Sequence, residues 1–171
     1  MKPVTLTPTS YIVLGLVSLA GEATPYDLKQ MVAQAVGHFW SIPHSQLYAE
    51  PARLALAGYL DEQREPGGRR RKHYSLTERG RGALAQWTAS ASESDWELRD
   101  PGLLKLFFGA DPTALAREQL ETHRQRLGEY EAMLEGAGSA PPGPRLALEA
   151  GIGHEREYVR FWSRLAKSAD R

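Results

Sequence analysis

The chain has 171 residues, 42% hydrophobic and 25% charged, a balance that builds one medium domain or two small ones around an apolar core. Its 21 Lys and Arg cancel its 21 Asp and Glu, and it has no Cys, which excludes disulfides, thiolate metal sites and Cys nucleophiles. No apolar run reaches the ~20 residues that span a bilayer; the best, residues 11–20, also lacks the basic start and cleavage pattern of a signal peptide, so a cytoplasmic protein with no membrane partner is the expectation.

Thr9 or Ser10 can cap a first helix that runs to about Leu19 and closes at Gly21. That helix is apolar nearly all round, so it needs burial on more than one side, either in a core or against a second copy. Thr24-Pro25-Tyr26-Asp27 is a strong helix start: Thr24 caps, Pro25 takes the first helical position, and Asp27 lies near the positive end of the dipole. Leu28, Val32, Ala35 and Val36 form its buried stripe and Gly37 ends it. A third helix starts near Pro43 or His44, runs to about Ala57, and turns Leu47 and Leu54 inward. Pro51 falls inside it, removing one backbone bond, and should bend the rod.

Residues 59–65 read as a strand, Pro66-Gly67-Gly68 as a turn, and residues 70–76 as the returning strand with Tyr74 and Leu76 on one face. Thr77 then opens a helix through Trp87 to about Ala91. Helix, helix, helix, strand, basic turn, strand, helix is the order of a winged helix-turn-helix. Bulk neutrality hides a split at this point. Residues 1–91 carry ten Lys and Arg against seven Asp and Glu, a net of +3, and residues 92–171 carry the balancing −3. Four of those ten are consecutive, Arg69, Arg70, Arg71 and Lys72, at the tip of the hairpin. A charge run alone is commonly a solvated loop; its place between two strands is what points to a polyanion.

Residues 89–94 are small and polar, a natural junction. Asp100-Pro101 caps a short helix to Phe108, and Asp111-Pro112 caps a long one in which Leu120, Leu127 and Leu134 recur every seven residues. A Gly/Pro/Ala loop follows, then a last helix over residues 145–167 with an apolar stripe of Leu148, Ile152, Val159, Trp162 and Ala166. Two long amphipathic helices need each other or a second subunit. The expected fold is mainly α with a small β-hairpin: residues 1–91 a winged helix-turn-helix, residues 98–171 an antiparallel helical domain for dimerisation and effector binding. Catalytic signatures are missing: the five His lack metal-ligand spacing, Gly67-Gly68 lacks the Lys and Ser or Thr of a phosphate loop, and no nucleophile elbow occurs, so neither an enzyme nor a cofactor is expected.

Residues 40–48 (Trp-Ser-Ile-Pro-His-Ser-Gln-Leu-Tyr), then Arg53-Leu54, Gly58-Tyr59-Leu60 and the stretch from Gly68 to Gly80 resemble the PadR family of transcriptional regulators. Trp87 and residues 98–108 are similar to the longer branch of that family, which carries a helical C-terminal domain; Pro51 stands where the family usually has leucine. The resemblance implies a homodimer built by that domain, repression, and release of DNA when a small effector binds, a phenolic acid for some members and a hydrophobic drug for others.

The residues themselves say how such a fold meets duplex DNA. The third helix enters the major groove with its first turns against base edges. Those turns offer His44, Ser45 and Gln46, and Gln can pair bidentately with adenine. Tyr48 belongs to the family motif and suits a phosphate or sugar contact, or else lies half-buried under the helix. Arg53 can reach a phosphate or pair with Glu50. Arg69, Arg70, Arg71, Lys72 and Tyr74 supply the wing, with Lys29 and Arg79 secondary. A twofold dimer demands an inverted-repeat operator. Trp87, Trp96, Phe107, Phe108, Tyr158 and Trp162 are candidates for an aromatic effector, or plain packing residues. The rival readings are an adaptor that kept the winged helix as a docking module, and a constitutive regulator whose C-terminal half only dimerises.

Overall fold

The computed structural model describes residues 4–67, 70–91, 99–138 and 141–167, which gather into two compact units, Met1–Glu93 and Ser94–Arg171. In the first unit α1 (Pro8–Ala20) begins earlier than expected. Thr7 is its N-cap; Pro8 takes the first helical position, and the Thr7 backbone N–H donates to the Ser10 hydroxyl at 2.8 Å. Val13, Leu14, Leu16 and Val17 of α1 form the middle of the core. A two-residue strand, β1 (Glu22–Ala23), follows. α2 (Pro25–Gln34) starts as the sequence indicates, with Thr24 and Asp27 capping each other's backbone. It ends sooner, because Ala35 leaves the helical region and residues Val36–His38 form a 3-10 turn.

α3 (His44–Leu56) runs through Pro51 as one helix. The missing N–H of Pro51 is offset by burial of its ring on the same face as Leu47 and Leu54. β2 (Leu60–Arg64) and β3 (Lys72–Leu76) form the hairpin, in antiparallel register from Leu60 opposite Leu76 to Arg64 opposite Lys72. β1 pairs with the other edge of β3, so the sheet order is β1-β3-β2. α4 (Glu78–Ala89) is capped by Thr77. A Cβ on its Gly80 would fall 2.1 Å from the Tyr59 carbonyl oxygen, so only glycine lets α4 close on the hairpin.

The second unit is helical: α5 (Pro101–Phe107), α6 (Pro112–Gly136) and α7 (Pro142–Lys167). Asp100 and Asp111 cap α5 and α6 through their carboxylates. α6 and α7 run antiparallel, with Leu115, Ala116 and Leu120 around the fully buried Trp162 at one end and Glu131 bonded to Arg156 toward the other. Between them His123 Nδ1 lies 2.6 Å from Glu155 Oε2, both side chains buried. Among the described residues no helix is long and apolar enough to cross a membrane.

Candidate nucleic-acid interface

At 100° per residue, α3 sorts its side chains by angle. Leu47, Pro51 and Leu54 point into the core. Ser45, Ala49, Ala52 and Leu56 lie opposite them, and Leu56 is 85% exposed. His44 and Tyr48 occupy one flank, both exposed; Gln46, Glu50 and Arg53 occupy the other, which meets α1. Small residues opposite the core let the backbone of a helix approach a groove floor closely, and an alanine methyl suits a thymine methyl. Sequence reasoning missed Ala49, Ala52 and Leu56; the signal was there, since they sit at helical spacing from Ser45. Pro43 at the N-cap offers no side-chain bond and the first turn has no acidic residue, so the positive end of the dipole is unopposed.

The α1 flank is a polar network. Arg53 holds Glu50 bidentately, Nε to Oε2 at 2.8 Å and Nη2 to Oε1 at 2.5 Å. The buried Ser10 hydroxyl donates to Glu50 Oε1 at 2.6 Å, and Arg53 Nη2 reaches the same hydroxyl at 3.0 Å. Arg53 also donates to the Thr5 carbonyl. The Arg53 guanidinium, helped by Ser10, outweighs burial and holds the Glu50 carboxyl below the usual carboxylate range. Of the two roles open to Arg53, the structure supplies the pairing with Glu50. A phosphate contact, the other role the sequence allows, would have to share this guanidinium, whose side chain stays 38% exposed, with Glu50. Thr9, next to Ser10, donates its hydroxyl to Gln46 Oε1 at 3.1 Å.

In the wing, the Glu65 amide donates to the Arg71 carbonyl and closes the hairpin. Arg70 sits in the turn at φ +48°, a left-handed conformation that is uncommon outside glycine and Asn. Arg70 and Arg71 are exposed and form no ion pair among the described residues, whereas Arg69 lies outside them. Lys72 is less free: its ammonium lies 3.1 Å from Glu62 Oε2. Glu62 also accepts from Arg64 Nε and from the Tyr74 hydroxyl. Burial works to raise the Glu62 carboxyl, but Lys72, Tyr74 and Arg64 together hold it below its ordinary value. Tyr74 is corrected as a DNA contact. Its ring is 1% exposed in the core, and burial, followed by the Glu62 carboxylate, pushes its phenol up to about 12. Alternation had put it on the right face, but that face is the inner one.

His73, on the opposite face of β3, bridges two carboxylates: Nδ1 to Glu22 Oε1 of β1 at 2.8 Å and Nε2 to Glu65 Oε1 at 3.2 Å. The Glu65 bond and then the Glu22 charge, against some desolvation, raise the His73 pKa. Arg79, though exposed, donates to the Ala57 carbonyl and lies over the Tyr59 ring. Among the described residues no cluster of three or more His, Asp or Glu has metal-site geometry.

Of the six aromatic candidates for an effector, Trp87 belongs to the first unit and the others to the second. Trp87, in the first unit, stacks on Tyr11 with centroids 4.7 Å apart. Trp96 lies outside the described residues. Trp162 is fully buried in the α6–α7 core. Phe107 and Phe108, at the end of α5, are 82% and 78% exposed and meet edge to face. Tyr158 lies between the His123 and His154 rings, and burial, then the Asp100 carboxylate, pushes its phenol up to about 12.

A three-helix core, a three-stranded sheet, an exposed recognition helix and a basic hairpin tip define a winged helix-turn-helix protein followed by a helical C-terminal unit. Residues 13–86 match the Transcriptional regulator PadR-like family and residues 98–168 match the family Virulence activator alpha C-term. Over residues 13–86 the chain belongs to the PadR-like family of transcriptional regulators. It is 27% identical over 177 residues to the Negative transcriptional regulator PadR of Bacillus subtilis, spanning 94% of this chain and 97% of that protein. The crystal structure of Bacillus subtilis PadR in complex with operator DNA superposes with a TM-score of 0.82 at 26% identity, over 96% of this chain and 99% of that one. The same regulator in complex with p-coumaric acid gives 0.77 at 24% identity, over 95% and 98%.

Proposed function

We propose that this regulator is a cytoplasmic repressor that binds an inverted-repeat operator as a homodimer and is released by a small aromatic effector. Residues 1–91 carry the DNA contacts and residues 98–171 the dimer and effector functions. The observation that carries the reading is the pairing of an exposed, side-chain-uncapped α3 N-terminus with a hairpin tip whose Arg70 and Arg71 have no ion pair among the described residues. His44, Ser45 and Gln46 meet base edges and Tyr48 a phosphate or sugar. Arg69, Arg70 and Arg71 neutralise backbone phosphate, and Lys72 contributes the part of its charge that Glu62 leaves. Repression and operator binding follow the Bacillus subtilis relative, a negative regulator solved on operator DNA. The effector follows the complex of that relative with p-coumaric acid. Leu104, Phe107 and Phe108 project from α5 as exposed apolar groups, which favours cover by a second copy or an aromatic ligand. The test is selection of bound duplexes from random DNA by the purified protein, followed by sequencing. An enriched inverted repeat, lost on adding aromatic acids, is expected; no enrichment at low salt would overturn the reading.

A further inference from the structure

We propose that Thr9 of α1 is a positioning residue for DNA specificity, acting through Gln46 of α3; the inference rests on the proposed DNA reading and deepens it. The contact joins two elements whose relative position is fixed by their neighbours. Thr7 and Pro8 set where α1 begins, and the buried Ser10 hydroxyl ties that first turn to Glu50, which is itself held by Arg53. Thr9, one residue before Ser10, therefore stands at a fixed place beside the first turn of α3. From there its hydroxyl donates to Gln46 Oε1 at 3.1 Å.

A glutamine carboxamide has two unlike edges, a carbonyl that accepts and an NH2 that donates, and its terminal torsion is broad and roughly two-fold. A free Gln46 would present either edge. With Oε1 engaged by Thr9, the carboxamide has one preferred face, and its Nε2 donors have no hydrogen-bond partner among the described residues. Those donors are what Gln46 offers to a groove. In the major groove, purine N7, guanine O6 and thymine O4 accept, whereas cytosine presents the N4 amino donor. The ligand class selected by the Thr9–Gln46 pair is thus a base with a major-groove acceptor at that place, with cytosine disfavoured. The residue that sets this preference is one that need not touch DNA.

The experiment compares wild type, Gln46→Ala, Thr9→Val and Thr9→Ser by sequencing duplexes selected from random DNA. Gln46→Ala identifies the position that Gln46 reads, as the one whose preference flattens. Thr9→Val keeps the shape and loses the donor. It is expected to admit cytosine at that position at least about threefold more often than wild type, the scale of one net hydrogen bond. Its thermal midpoint and its affinity for unrelated duplex should stay as in wild type. Thr9→Ser should restore the exclusion. Wild-type exclusion of cytosine in Thr9→Val, or its acceptance in the wild type, would overturn the proposal while leaving the DNA reading intact. A Gln46→Ala profile identical to wild type would overturn it too. If the wild type selects no sequence, both readings fall.

Discussion

Arg53 is tied to Glu50 by a two-point bond, at 2.8 and 2.5 Å, with the Ser10 hydroxyl completing the ring. An arginine on a recognition helix invites assignment to phosphate, yet here its fork geometry is already matched by a carboxylate. Arg53→Ala is therefore expected to behave as a stability variant. The half-buried Glu50 and the buried Ser10 would lose their partner, at about 1–3 kcal/mol. The salt dependence of DNA binding should hardly change. A denaturant titration and a salt titration on the same variant decide it: a stable protein with a much shallower salt slope would restore Arg53 to the DNA surface.

The same ring carries a pH signature. The Glu50 carboxyl lies below its ordinary value in the folded chain, so its stabilisation is present above the unfolded value and is lost as pH falls through the folded one. Glu50→Gln should flatten this acid limb. Chemical denaturation of wild type and variant from pH 7 down to pH 3 would show the two stabilities converging; parallel curves would remove Glu50 from the account.

The wing should separate function from fold. Arg70 is exposed, has no ion pair among the described residues, and sits at φ +48°, where an L side chain costs about 1–2 kcal/mol. Arg70→Gly is expected to leave stability unchanged or raise it slightly while weakening DNA binding. If about six phosphates are met by a dimer, log K falls against log salt with a slope near −5. Arg70→Gly together with Arg71→Ala removes two cations per protomer and should make the slope shallower by up to about 3.5. An unchanged slope would show that these arginines face solvent in the complex.

Tyr74, Arg53 and β1 show where sequence reading stopped. Helix starts were legible wherever the signal is local, as in Thr24-Pro25 with Asp27, Asp100-Pro101 and Asp111-Pro112, because a cap needs only its own four residues. The basic hairpin was legible because a Pro-Gly-Gly turn stands between two alternating segments. In Thr7-Pro8-Thr9-Ser10 three hydroxyls compete to cap, and Pro8 at the first helical position settles the matter for Thr7. β1 has two residues and exists through pairing with Tyr74 and Ser75, far along the chain, so no local pattern announces it. Tyr74's burial is likewise set by elements distant in sequence; the Arg53–Glu50 pair is local and open from its spacing, but the Ser10 hydroxyl that fastens it comes from α1.

Because Tyr74 is in the core, its hydroxyl and its ring should have separable effects. Tyr74→Phe loses one hydrogen bond to Glu62 and is expected to cost about 1 kcal/mol, with DNA affinity retained. Tyr74→Ala opens a large cavity and is expected to cost about 3–5 kcal/mol. Comparing both by denaturation and by operator binding checks the assignment, and a Phe variant that folds normally but loses DNA would reverse it.

His73 gives the opposite pH limb. Its folded pKa is raised by Glu65 and Glu22; Asp27 of α2 also feels its charge, and Arg71 lies within the field of Asp27 and Glu65. The clasp between β1 and the wing is therefore fully present below the unfolded value near 6.5, and is lost as pH rises through the raised folded value. Amide exchange at Glu65, whose N–H bonds to Arg71, should show protection falling as pH climbs past that value, after correction for intrinsic rates. His73→Asn should abolish the trend. A wild-type wing equally protected on both sides of the transition would mean the imidazole bridge does not hold it.

In the helical unit, His123 and Glu155 meet at 2.6 Å with both side chains buried, and Arg126 approaches Glu155 Oε1 at 3.3 Å from the half-exposed rim. Removing one member leaves a polar group buried between α6 and α7, which costs more than removing both. Glu155→Ala is expected to destabilise this unit by about 2–4 kcal/mol. The double change His123→Leu with Glu155→Leu should cost clearly less than the sum of its single changes, because no orphaned partner remains. A double-mutant cycle by chemical denaturation measures the coupling. Additive single and double effects would show that each side chain packs for its own sake and that the bond between them contributes nothing.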